Sequence, residues 1–139
     1  MINKPSIEVS IQDQLLRIKL DEEYIEYPIS TAKLGIGQKE GSNQTPIGWH
    51  QIRAKIGAEQ PINSVFIGRR PTGEIYNDKL AKEAPDRDWI LTRILWLSGC
   101  ELGRNRLGDV DSMRRYIYIH GTPDSEPMGV PESHGCIRM

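Results

Sequence analysis

The stretch MRRYIYIHG, residues 113–121, decides how this chain is read. Tyr116, Tyr118 and His120 fall on one side of a two-residue period, Ile117 and Ile119 on the other. Such alternation marks a strand, because successive side chains leave a pleated backbone on opposite faces. The strand therefore ends on an imidazole, His120, followed by Gly121. Just upstream, WILTRILWLSG (89–99) is the most apolar run of the chain. The spacing of Leu91, Ile94 and Leu95 would suit a helix, but length and branching favour a buried strand.

The same period recurs further out. SIEVSI (6–11), LLRIKL (15–20) and YIEYPI (24–29) alternate apolar and polar residues, with short polar breaks, as a hairpin meander does. WHQIRAKIG (49–57) and NSVFIGR (63–69) read as further strands. NDKLAKEA (77–84) predicts a short helix that stops before Pro85, since the residue before proline avoids the helical region. Between residues 33 and 52, Gly35, Gly37, Gly41, Pro46 and Gly48 mark a long loop, the kind of segment that often carries function. The expectation is a single mostly-β domain spanning residues 1–139. It would be a sandwich or mixed barrel with glycine-rich loops and short helices.

A chain of 139 residues fits one domain, and one of this size buries roughly two thirds of the surface its unfolded chain exposes. Its 19 acidic and 18 basic residues nearly balance, which argues against nucleic acid as a partner. The pairs Arg69–Arg70 and Arg114–Arg115 are expected as solvated edges. Two cysteines make no disulfide framework, although a single Cys100–Cys136 bond stays open. The start has no apolar segment after a basic one, and no run is long enough to span a bilayer. A cytoplasmic protein without a membrane partner is expected. The oligomeric state is not legible.

The last nine residues, PESHGCIRM, raise the chemistry. A cysteine attacks carbonyls as its thiolate, and a free thiol is mostly protonated at neutral pH. It needs a base, and His120 stands on a strand end where its ring is held firmly. Gly135 would let the N–H groups of Gly135 and Cys136 face one point and hold an oxyanion. The Gly121 carbonyl could fix the imidazole tautomer, with Asp124 as another orienter. Two other readings remain. His120, His134 and Cys136 with Asp124 or Glu132 are zinc-type ligands, but without the paired spacing of zinc motifs. Alternatively, these residues are simply packed. Cys100 reads as a small buried hydrophobe, and His50 as a polar residue on a strand. Trp49, Trp89 and Trp96 read as core or cleft wall. Arg138 reads either as a surface charge or as a fork for a carboxylate.

IYIHGTPDSEPMGVPESHGCIRM (117–139 with its leading Ile) resembles the active-site block of the L,D-transpeptidase catalytic domain, the YkuD-type family. The matching residues are His120, Gly121, Thr122, Gly129, Pro131, Ser133, His134, Gly135, Cys136, Ile137 and Arg138. Thr45, Pro46 and Gly48 resemble the family's upstream Thr-Pro-x-Gly turn. The resemblance implies a mostly-β, sandwich-like fold and an enzyme acting on peptidoglycan stem tetrapeptides or muropeptides. The bond attacked would join the diamino acid to the terminal D-alanine. Cys136 would form the thioester, His120 would be the base, His134 would shape the pocket, and N–H groups around Gly135 and Cys136 would hold the oxyanion. Arg138, Ser133 and Thr122 would meet substrate, and no cofactor or metal would be needed. Water would give an L,D-carboxypeptidase, and an amine a transpeptidase forming 3–3 crosslinks or exchanging D-amino acids. The family's domain continues past such an Ile-Arg-Met stretch, so a missing C-terminal segment is expected. Without an export leader, cytoplasmic trimming of recycled muropeptides is the leading expectation; with a leader removed, the place would be the periplasm.

Overall fold

The computed structural model describes residues 4–139. The three N-terminal strands, β1 (Ser6–Ser10), β2 (Leu15–Leu20) and β3 (Glu23–Pro28), form the expected antiparallel meander. The β1–β2 turn is tied down by the buried side chain of Gln14. Its amide donates to Ile11 O and Thr31 Oγ1 and accepts from the Thr31 N–H.

The second sheet contains β4 (His50–Ile56), β5 (Ser64–Ile67), β6 (Arg70–Ile75), β7 (Ile90–Gly99), β8 (Tyr118–Gly121) and β9 (Ile137–Arg138). The long strand β7 organises it. One edge of β7 pairs with β5 at Ile90–Leu91 and with β4 along Ile94–Gly99, while the other edge pairs with β8. Strand β9 then runs parallel to β8, with Ile119 opposite Ile137 and His120 opposite Arg138. The short helix α1 (Asp78–Glu83) is capped by Asn77, whose side chain accepts from the Leu80 N–H, and it stops before Pro85 as expected.

The two sheets pack through Leu16 and Ile29 on one side and Leu97, Ile117, Ile119 and Ile137 on the other. Burying an aliphatic side chain of this size stabilises by about 1.5–3 kcal/mol. The opposite face of the large sheet is a second apolar layer of Phe66, Ile94 and Tyr118, against which Cys136 packs. The alternation read in the sequence thus divides β8 and β9 between two environments. Ile119 and Ile137 face the sandwich; Tyr118, His120, Cys136 and Arg138 face the other way.

Several expectations are corrected. The strand expected over 113–121 begins only at Tyr118, because the chain turns through Met113–Tyr116 and Tyr116 takes a left-handed backbone (φ 57°). The Trp96 indole N–H, donating to Met113 O, holds that turn against the sheet. β6 was not foreseen: Pro71 and Gly73 disguise it, and proline is tolerated there because β6 is an edge strand. Cys100 is exposed rather than buried, and Trp49, 77% exposed, takes the cleft-wall place of the two expected for it. Neither Arg69 nor Arg115 is a solvated edge. Arg69 lies over the rings of Trp96 and Tyr116, and Arg115 is bonded into the glycine-rich loop. No Cys100–Cys136 disulfide forms; both thiols are free.

Candidate active site

Residues 29–33 leave β3 and clamp the outer edge of β9. Ser30 exchanges two backbone hydrogen bonds with Arg138, and the Ser133 N–H donates to Thr31 O. The glycine-rich loop then packs on the cysteine loop. Thr45, only 2% exposed, accepts from the Ala32 N–H and donates to Gly135 O, both at 2.9 Å. Gly135 has φ +132°, and a Cβ there would lie 3.2 Å from Gln44 O. A side chain at 135 would be both strained and crowded. Arg115 braces the far side of the loop, donating to Gly37 O, Gln38 O, Ser42 Oγ and Gln44 O.

This scaffold holds Cys136 half-buried. Its Sγ donates to Tyr116 O and accepts from the Tyr118 N–H, each at 3.3 Å. Burial pushes the thiol up to about 11; the Tyr118 N–H pulls the other way, Asp88 raises it, and Arg138 and Arg115 lower it. At neutral pH the resting group is a protonated thiol.

His120 is buried on the same face, diagonal to Cys136 across the β8–β9 pair. Its Nδ1 lies 2.7 Å from Gly121 O. A carbonyl can only accept, so Nδ1 carries the proton and Nε2 keeps a free lone pair. Burial holds the imidazole below its ordinary value, with the Gly121 bond and Asp88 opposing that shift and Arg138 adding to it. Both groups therefore rest uncharged on the same face of the sheet. Gly121 also permits close packing, since a Cβ there would meet Leu91 O.

The remaining expected residues divide. Arg138 is nearly buried, with Nη2 3.0 Å from Asp88 Oδ1 and Nη1 3.9 Å from Glu126 Oε2, so its fork is already engaged. His134 lies at the rim, its side chain 69% exposed and its Nδ1 3.7 Å from Asp88 Oδ2. The Ser133 hydroxyl donates to Cys136 O and accepts from the Gly135 N–H. The Gly135 N–H is thus occupied, whereas the Cys136 N–H has no acceptor among the described residues. Thr122 Oγ1 is buried without a partner among the described residues. Asp124 makes no bond to His120, whose ring is oriented by Gly121 O. No three of the described His, Cys, Asp and Glu side chains converge as metal ligands.

Asp88 and Arg115 were missed by sequence reasoning. Asp88 precedes β7 and is 50 residues from Arg138, and only the fold joins them. A cleft of about 670 Å³ is lined by Val9, Ile52, Leu97, Ile117, Ile119 and Ile137. It opens between the sheets on the face away from the thiol, so the chemistry does not reside there.

A β-sandwich that places a thiol and an imidazole of fixed tautomer on one face of a sheet holds the groups that thiol-dependent acyl transfer uses. The model of one family of such acyl-transfer proteins, YkuD, the L,D-transpeptidase catalytic domain, matches residues 4–139. The chain belongs to this family, and it is an L,D-transpeptidase-type enzyme acting on peptidoglycan peptides. No curated protein matches the chain.

Proposed function

We propose that this protein is an L,D-carboxypeptidase that trims the terminal D-alanine from peptidoglycan stem tetrapeptides. The observation that carries the reading is the 2.7 Å contact of His120 Nδ1 with Gly121 O, which leaves Nε2 as the acceptor on the face that bears Cys136. As Cys136 Sγ bonds to the diamino-acid carbonyl carbon, its proton passes to His120 Nε2. The Cys136 N–H receives the oxyanion, and the Gly135 N–H joins it if released from Ser133 Oγ. Collapse breaks the C–N bond, and the imidazolium protonates the departing amine of D-alanine. Water then adds to the thioester with His120 as base, giving tripeptide and free thiol.

Around this centre, Ser133 holds the cysteine loop from behind, and His134 with the Arg138–Asp88 pair forms one wall of the substrate site. Thr122 Oγ1 takes its missing partner from substrate or water. Water as acceptor is supported by the partial exposure of Cys136, next to the half-exposed Tyr116 and the exposed His134. An amine in place of water at the same thioester would give transpeptidation. We place the activity in cytoplasmic murein recycling; an exposed free Cys100 suits a reducing compartment.

Mass spectrometry of the protein incubated with disaccharide-tetrapeptide tests the proposal. Tripeptide and D-alanine alone are expected. Crosslinked dimers, or exchange with an added D-amino acid, would assign transpeptidation instead. Recovery of the protein from the periplasm on cell fractionation would overturn the cytoplasmic placement.

A further inference from the structure

Among the described residues two arginines lie over aromatic rings, and they differ in one respect. Arg87 stacks on Trp89 at 4.4 Å and grips Glu74 with both terminal nitrogens, at 2.9 and 3.4 Å. Arg69 lies over both Trp96, at 4.6 Å, and Tyr116, at 4.8 Å, with Nη1 donating to Tyr118 Oη at 3.2 Å. Among the described residues no carboxylate pairs with it. A guanidinium has five N–H donors in a fork shaped for a carboxylate, and here one is used.

The location of Arg69 gives the unused fork its meaning. Tyr116 and Tyr118, which hold Arg69, are the two residues whose backbones hold the Cys136 thiol. On the other flank of the thiol, Arg138 is already neutralised by Asp88. Arg69 also occupies the second position of the two-residue β5–β6 turn with φ 66°, a left-handed slot that favours glycine. A bulky residue held there at a conformational cost is a pointer to function.

We propose that Arg69, clamped by Trp96, Tyr116 and Tyr118, is the site that binds a carboxylate of the acyl donor beside Cys136. This deepens the proposed function and rests on its substrate class. The carboxylate belongs either to the terminal D-alanine or to the diamino-acid side chain. Both present the same chemistry to the fork, and two amidated peptides tell them apart.

The test is calorimetric binding to Cys136→Ala protein of three peptides: the tetrapeptide, its terminal amide and its diamino-acid side-chain amide. One amide is expected to bind about 10- to 100-fold more weakly than the acid, the loss of a charge-assisted fork. Adding Arg69→Asn, which tolerates the left-handed turn, should weaken the acid by the same factor and leave that amide within about 2-fold. Arg69→Lys, which keeps the charge without the fork, should fall between. Equal weakening of acid and amides by Arg69→Asn would reduce Arg69 to packing and overturn the proposal, as would no effect or no binding of any peptide. If the peptides bind with this pattern while wild-type protein releases no D-alanine, the catalytic reading fails and the carboxylate site stands.

Discussion

The two faces of the β8–β9 pair differ in what they ask of a side chain. On the sandwich face, Ile117, Ile119 and Ile137 belong to an aliphatic cluster, where a well-packed apolar set of similar volume would serve. On the other face, His120, Cys136 and Arg138 are polar groups in a largely dry setting, and each is held by particular partners. The difference shows how one short stretch stabilises the molecule through its odd positions and holds its titratable groups at its even ones. Burial also acts differently on the two faces. It stabilises the isoleucines, and it shifts the thiol upward and the imidazole downward so that both rest uncharged.

The comparison breaks most sharply under paired substitutions. Cys136→Ala should lower D-alanine release by about 10⁴-fold or more while leaving the thermal midpoint almost unmoved. Ile119→Ala should do the reverse, costing about 2–5 kcal/mol in a denaturant titration while the folded fraction still turns over substrate. Unfolding of the Cys136 variant would show that the two faces are not separable. Next in size, His120→Ala should cost about 10²- to 10⁴-fold in kcat/KM. The wild-type acid limb should lie below the ordinary 6.5 of histidine, because burial depresses His120. The same shift fixes the sign for stability. Between the folded and unfolded values the unfolded chain holds the extra proton, so this contribution is present above 6.5 and is lost as pH falls through the folded value. A limb above 6.5 would assign it to another group.

Thr45→Val should be felt on both faces to a smaller degree. It removes two buried hydrogen bonds beneath the cysteine loop, for about 1–3 kcal/mol by denaturant titration and roughly a tenfold fall in kcat/KM. Full activity in this variant would show that the loop holds Cys136 without it. Smallest of all, Cys100→Ala should stay within about 2-fold of wild type, since Cys100 is exposed and takes no part in the bonds that hold Cys136 and His120. A large loss with folding intact would contradict Cys136 as the nucleophile.

Much of this was legible in the chain because the signals are local. The meander of β1–β3, the strand β7 and the stop of α1 before Pro85 follow from periodicity and from proline geometry over a few residues. The His120–Gly121 contact is between neighbours, so the carbonyl that orients the ring could be named from the sequence. Gly135 was likewise marked by its residue type beside a cysteine.

What the sequence determined by itself is the type of most elements and the family motif around His120 and Cys136, since both depend on residues close along the chain. Only the tertiary structure decided their setting. It joined Asp88 to Arg138, set Thr45 under Gly135, drew Arg115 into the loop and laid Arg69 across Trp96 and Tyr116. It also turned the chain at Tyr116 and left Cys100 and Trp49 exposed. Each of these outcomes joins segments remote in sequence, or depends on which surface another segment covers. Residue type and spacing carry neither kind of information until the two sheets have packed.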